Sequence, residues 1–446
     1  MKIVIAGAGD TGFHLARLLS IEQQDIVLID TNVEVLEYAA THLDVQTIPG
    51  DSASLAVLQQ AEISNASLFM AMTTSEKNNL VSCILAKKMG ARQTIARVSN
   101  HEYLADDQRA SFQELGIDAL ICPTQLAAQE CLRLVQQSTV TDLFEFEQGT
   151  LTLAGISLDD SSPLVNLTFQ EISDQHGGQF FRPIAIQRGD RTIIPQPDTV
   201  VRRHDHIYFF AKSKRMQEVL QIAGKNPVKV RNIMVVGGTE LGMKTAQLLE
   251  QDYNVVIVDK DKERCKRLAK RLKKTLVIQG DPNNIELLKE EGLEKMDAFI
   301  ALTPNSETNI VTSLLAEESG VHKTIALVDN MDYMRISQNI GVDTIINKKL
   351  IAANNVFRYV RKGKIEAIAS LHGVDAEIIE FAIHKENRLT RKPLGELHLP
   401  DKAIVAGIIR DHDSLFPDED SILQKDDKVI VFAQHEAISK VEKLFR

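Results

Sequence analysis

Residues 2–19 read KIVIAGAGDTGFHLARLL, and residues 232–249 read NIMVVGGTELGMKTAQLL. Each is a short apolar run, a glycine-rich turn, and then apolar residues at helical spacing. That order delivers a buried strand through a tight turn into a helix. In the first stretch Gly7, Gly9 and Gly12 form G-x-G-x-x-G. The first glycine permits the turn, the second lets backbone approach a pyrophosphate, and the third lets helix pack on strand. The helix start then offers unbonded N–H groups and a positive dipole end to phosphate. Asp30 closes the next apolar run 21 residues after Gly9, where a carboxylate accepts from the ribose hydroxyls of an adenosine. It also repels a 2′-phosphate, so the pattern predicts NAD over NADP.

The recurrence extends far beyond the two loops. DIVLIDTN (25–32) answers NVVIVDKD (254–261), residues 48–79 answer 278–309, and QLAAQECLRLV (125–135) answers LIAANNVFRYV (350–360). A period this long marks a tandem domain duplication rather than a solenoid. Within each copy the first part alternates strands with helices. IVIAG, DIVLID, LFMAM and TIARV are buried strands separated by GFHLARLL, ASLAVLQQ and SEKNNLVSCILAKKMG. This predicts an α/β, Rossmann-like doubly wound parallel sheet. The second part carries short strands broken by Gly, Asp and Pro, which predicts a small antiparallel α+β module. There Arg188 matches Arg410, Pro195 matches Pro417 and Asp205 matches Asp427. The expected domains are 1–138 and 230–363 (Rossmann-like) and 139–223 and 364–446 (small modules), with 223–232 as the linker between halves.

Other ligand-facing positions follow from the sheet. Thr73 and Thr74 end the strand LFMAM, and strand ends line the crevice of an open α/β sheet. Thr73 also stands three residues before Glu76, in capping-box spacing. Arg97 ends TIARV, where a cation can pair with phosphate, although an ordinary surface arginine fits the same pattern. In the second copy Gly237, Gly238 and Gly242 remain, but Thr239 stands where Gly9 stood. Its Cβ holds a diphosphate further from the backbone. Asp259 keeps the ribose position, Thr303 keeps the strand end, and Leu327 replaces Arg97. The second site is therefore expected to be weaker, or suited to a mononucleotide such as AMP or ATP.

Composition excludes several classes. At 446 residues the chain predicts two to four domains. A net charge of −10 opposes nucleic-acid binding, which depends on cationic contacts to phosphates. The cationic segment KDKERCKRLAKRLKK (260–274) falls on the helix after the second strand of copy two and reads as a solvated outer helix. Cys83, Cys122, Cys131 and Cys265 form no CxxC pair, which fits buried thiols in a reducing compartment. No run reaches the roughly 18 to 20 apolar residues of a membrane span, and Lys2 leads straight into a strand rather than a signal peptide. Catalysis is poorly represented. His14 lies on the loop's helix, where packing is the simpler role. The two histidines of HDH (204–206) could chelate a metal, but Asp426 and Lys428 replace them in the second copy, which favours a turn entering the strand. A nicotinamide oxidoreductase with the small module as substrate domain is the principal alternative, and a redox-responsive transcription regulator the other.

With the glycine loop, Asp30, the two threonines, Arg97 and the appended small modules, the chain resembles the RCK (KTN) regulators of potassium transport along its whole length. The resemblance implies two N-lobes and two C-lobes in tandem, in a cytoplasmic, non-enzymatic subunit peripheral to the plasma membrane. It further implies a homotetrameric ring that gates a membrane potassium-translocating subunit on binding NAD(H) and ATP or ADP. The family's binding positions carry over to Gly7, Ala8, Gly9, Asp10, Thr11, Gly12, Asp30, Thr73, Thr74 and Arg97. In the second copy they carry over to Gly237, Gly238, Thr239, Glu240, Leu241, Asp259 and Thr303.

Overall fold

A computed structural model describes residues 1–21, 24–136, 142–146, 150–158, 162–176, 181–189, 191–225, 229–330, 333–334, 337, 340, 342, 344–361, 367–370, 374, 376–386, 388–411 and 413–445. The chain forms two compact units. Met1–Glu130 joins Ile346–Val360 in one, and Cys131–Ile345 joins Arg361–Arg446 in the other.

The first unit is built on strands β1 (Lys2–Ala6), β2 (Asp25–Asp30), β3 (Gln46–Pro49), β4 (Leu68–Ala71), β5 (Gln93–Arg97) and β6 (Ala119–Ile121). They form one parallel sheet ordered β3-β2-β1-β4-β5-β6. The four apolar runs expected as strands are strands. The edge strands β3 and β6 are additional, and their three or four residues are too short for a pattern of their own. Successive residues of β1 point to opposite faces, and Ile3, Val4 and Ile5 are all fully buried. Helices therefore cover both sides, as a parallel sheet requires. On one face Ile3, Ile5, Leu15, Ala16 and Leu19 share a core, and on the other Val4, Phe69, Cys83 and Ala86 do. Ala352, Ala353 and Val356 join the first of these cores. The helix Lys348–Arg361, which belongs to the second copy by sequence, thus packs within the first unit.

The second unit repeats the large sheet and holds both small modules. β12 (Asn232–Val236), β13 (Asn254–Asp259), β14 (Leu276–Gln279), β15 (Ala298–Ala301), β16 (Lys323–Leu327) and β17 (Thr344–Ile346) run in the order β14-β13-β12-β15-β16-β17. The cationic helix Lys262–Arg271 buries Cys265 and Leu268 and leaves Lys262, Lys266, Arg267 and Lys270 exposed, as a solvated outer helix does. The first small module pairs β7 (Asp142–Phe146), β8 (Leu151–Ser157), β9 (Phe181–Arg188), β10 (Arg191–Ile193) and β11 (His206–Lys212) antiparallel. The second does the same with β18 (Ala367–Ser370), β19 (Ala376–Ala382), β20 (Ala403–Arg410), β21 (Asp413–Leu415) and β22 (Lys428–Gln434). The two small sheets share one core, in which Leu153, Tyr208 and Phe210 meet Ile378, Ile430 and Phe432.

The matched Arg and Asp of the small modules are ion pairs. Arg188 donates from Nε and Nη2 to the two oxygens of Asp205, both at 2.8 Å, and Arg410 does the same to Asp427. Both aspartates are fully buried in side chain. His204 occupies a left-handed turn at φ 61°, as Asp426 does at φ 68° in the repeat. His206 opens β11 with its ring against Tyr208. All four cysteines are buried free thiols, and burial pushes the Cys83 and Cys265 thiols up. Among the described residues no helix is long and apolar enough to cross a membrane.

Candidate functional site

The first glycine loop is shaped by what each glycine must avoid. Gly7 sits at φ +99°, and a Cβ there would lie 2.8 Å from the Thr73 backbone nitrogen. A Cβ on Gly12 would lie 1.7 Å from the Gly7 carbonyl oxygen, so helix Asp10–Ile21 could not seat against β1. A Cβ on Gly9 would meet nothing within 4 Å. Among the described residues nothing crowds a side chain at position 9, and glycine there leaves the backbone open to close approach.

Asp30 at the end of β2 ties the loop down. Its Oδ2 accepts from the Ala8 N–H at 2.7 Å and its Oδ1 from the Asn32 N–H at 2.8 Å. Each carboxylate oxygen keeps a second lone pair for a ribose hydroxyl. Ala8 and Thr11 are buried, and Asp10 is exposed at the loop's rim.

Thr73 and Arg97 meet through a residue that the motifs do not flag. Asn79 is fully buried; its Oδ1 accepts from the Thr73 N–H and Oγ1–H at 3.0 and 2.6 Å, and its Nδ2 donates to the Arg97 carbonyl at 2.8 Å. Asn309 does the same for Thr303 and the Leu327 carbonyl. The repeat held the signal, because both copies keep Asn six residues after the strand-end threonine. The capping box expected at Thr73 is not formed. The Thr73 hydroxyl oxygen accepts from the Ser75 N–H at 3.2 Å, and Ser75 is the residue that caps the helix Glu76–Lys88, accepting from the Asn78 N–H at 3.3 Å. Glu76 instead accepts from the N–H groups of Ser99 and Asn100. Thr74 is exposed beside this cluster.

Arg97 is half-buried at the carboxyl end of β5, and burial lowers its pKa. Among the described residues no carboxylate pairs with it. Burial of a guanidinium away from a carboxylate favours an anionic partner. The sheet order reverses between β1 and β4, and the ligand crevice of an open α/β sheet lies at that switch, outside the carboxyl ends of the strands. Gly7–Gly12, Asp30, Thr73, Thr74 and Arg97 all stand at that edge.

The second copy preserves the backbone and changes the chemistry. Gly237 sits at φ +98°, and a Cβ on Gly242 would lie 1.9 Å from the Gly237 oxygen. Thr239 Oγ1 accepts from the Gly242 N–H at 3.2 Å and donates to the Leu302 carbonyl, so it caps the helix Glu240–Leu249 and occupies an N–H that phosphate would use. Asp259 accepts from the Gly238 N–H at 2.6 Å and also from Arg264 Nη1 at 2.9 Å, and is buried. Among the described residues its counterpart Asp30 has no such partner, because Val35 stands where Arg264 does. Leu241 and Thr303 are buried and Glu240 is exposed.

His14, one turn into the loop's helix, is packed. It is 8% exposed, its Nδ1 lies 3.3 Å from Arg17 Nη2, and its Nε2 is buried with no partner among the described residues. Burial, then the nearby Arg17 and Lys349 charges, lower its pKa from 6.5 to about 4. The folded state therefore prefers the neutral ring. That preference contributes stability in full above pH 6.5 and is lost as pH falls towards 4. His14→Gln is expected to remove up to about 3 kcal/mol of acid destabilisation across that window. Urea titrations at pH 7 and pH 4.5 on both proteins check it, and identical pH dependence contradicts it.

This is a tandem pair of Rossmann-type nucleotide folds, each with an appended antiparallel module. The TrkA-N domain family matches residues 3–123 and 233–348, and the TrkA-C domain family matches 153–224 and 378–446. Trk system potassium uptake protein TrkA homolog 1 of Methanosarcina mazei is 31% identical, with both chains covered in full. Trk system potassium uptake protein TrkA of Halomonas elongata is 31% identical over all of this chain and 99% of its own. The chain belongs to the TrkA family. Among solved structures the GsuK RCK domain superposes with a TM-score of 0.60 at 16% identity, over 100% of this chain and 94% of its own. The GsuK channel bound to NAD gives 0.61 at 16%, over 100% and 78%. At that identity the likeness is one of fold.

Proposed function

We propose that this protein is the nucleotide-sensing regulatory subunit of a Trk-type potassium uptake system. It works in the cytoplasm at the inner face of the plasma membrane, as a homotetrameric ring beneath a TrkH- or TrkG-like potassium-translocating subunit. Its parts are N-lobes 1–138 and 230–363 and C-lobes 139–223 and 364–446. NAD(H) binds the first N-lobe, and ATP or ADP competes there or takes the second. The observation that carries this reading is Arg97, a half-buried cation with no carboxylate partner among the described residues, at the same sheet edge as an open glycine loop. Membership of the TrkA family and the names of its relatives support the potassium-uptake role.

The protein is not an enzyme in this reading. An oxidoreductase needs a proton donor or acceptor within reach of the hydride centre, and the histidine nearest the loop is packed in the core. Gating follows from differential affinity: a nucleotide shifts the ring only as far as it prefers one ring shape. Moving it from mostly closed to mostly open takes about 5.5 kcal/mol, shared over several sites. The Arg264 and Thr239 contacts support unequal sites, which lets one chain read two nucleotides.

Calorimetric titration with NADH and with ATP, on wild type and Asp30→Ala, tests the reading. Asp30→Ala is expected to weaken the first-site nucleotide about 10-fold by removing a charged ribose acceptor. Binding untouched by Asp30→Ala, or no binding by wild type, refutes it.

A further inference from the structure

Lys349 comes from the second half of the chain, yet its ammonium lies 2.6 Å from Oδ2 of Asp10. Asp10 is the first residue of helix Asp10–Ile21 and sits inside the glycine motif. The helix bearing Lys349 is fixed there by Ala352, Ala353 and Val356, which pack with Ala8, Leu15 and Leu19. The ammonium is therefore held at the loop by packing.

A carboxylate at a helix start occupies the place where the dipole favours an anion. That is also where a diphosphate docks, so Asp10 competes with the ligand unless its charge is neutralised. Lys349 neutralises it, and with Arg17 it makes the loop's flank cationic. The Asp10 side chain is 74% exposed, and an ion pair so open to water is weak. A diphosphate brings more charge and more acceptor oxygens than one carboxylate, so exchange favours the ligand.

We propose that Lys349 is a phosphate-positioning residue of the first nucleotide site, paired with Asp10 when the loop is empty and transferred to the diphosphate when it fills. The proposal rests on the nucleotide reading of the first N-lobe and adds its coupling. The transfer re-seats the start of helix Lys348–Arg361, whose chain continues into the second small module. The repeat position in the first half is Thr124, so only one half carries this cation.

Full-length protein titrated calorimetrically with ADP and with NADH tests this, with unliganded melting temperature as the fold control. Lys349→Met is expected to weaken both ligands about 10-fold and Lys349→Arg to restore them, as loss and return of one charge-assisted contact. Asp10→Asn, which removes the carboxylate that competes for the ammonium, is expected to tighten both a few-fold. Lys349→Met binding like wild type while Asp30→Ala still weakens binding overturns the role of Lys349 and leaves the site standing. Asp10→Asn weakening binding as much as Lys349→Met overturns the exchange, and a wild type that binds neither ligand overturns site and proposal together.

Discussion

Asp205→Ala is expected to destabilise the small modules by about 1–3 kcal/mol, the scale of losing a buried carboxylate's charge-assisted bonds to a guanidinium that still reaches water. Asp205 is fully buried and accepts twice from Arg188 and once from the Arg202 N–H, all at 2.8 Å. Its loss leaves the Arg202 N–H without its acceptor and the Arg188 guanidinium with only the Val200 carbonyl. Asp427→Ala is expected to cost the same, because Arg410 and the Gln424 N–H make the same three bonds. The two small sheets share the core of Phe210 and Phe432, so either variant should loosen both modules in one transition. Replacing the pair together, as Arg188→Met with Asp205→Leu, is expected to cost far less, since no charge is stranded. Chemical denaturation of the three variants decides the matter. A midpoint for Asp205→Ala equal to that of wild type would falsify the assignment.

That ion pair is half visible in the sequence. The match of Arg188 to Arg410 and of Asp205 to Asp427 says only that each position recurs, and the bond appears when β9 and β11 pair. The glycine loop was more legible, because backbone sterics fix it: Gly7 needs positive φ and Gly12 needs contact with the Gly7 carbonyl. Asp30 was legible for the same local reason, at a fixed distance along one βαβ unit. What escaped depends on residues far apart in sequence. Asn79 joins Thr73 to the end of another strand. Arg264 engages Asp259 from the next helix, where Val35 cannot engage Asp30, although the two copies laid side by side display that difference. The seating of helix Lys348–Arg361 in the first unit was not legible, since an apolar helical stripe reveals that it packs and not on which sheet. The capping box at Thr73 fails because spacing alone cannot tell where the helix starts: Ser75, two residues on, is the N-cap, and the Thr73 oxygen accepts from its N–H instead.

Arg97→Leu, which installs the residue found at repeat position 327, is expected to raise stability and destroy affinity at once. Burial penalises the Arg97 guanidinium, and among the described residues no carboxylate offsets that penalty. Leu327 is 2% exposed in the matching strand, so the repeated fold accepts leucine there. Unliganded stability should therefore rise by about 1 kcal/mol, the scale of relieving a partly desolvated charge with an apolar side chain. Affinity for NADH or ADP should fall about 100-fold, because a guanidinium supplies up to two charge-assisted bonds to phosphate at about 1.5–3 kcal/mol each. The two effects separate in one experiment. Ligand at 100 times its Kd stabilises wild type by about 2.7 kcal/mol, so melting with and without NADH should give Arg97→Leu a higher starting point and almost no shift. Loss of stability and shift together would make Arg97 a structural residue. An unchanged shift would make it an ordinary arginine that happens to end a strand. The expected pattern, stability gained where binding is lost, is what a cation kept for an absent anion must produce, and no packing role for Arg97 reproduces it.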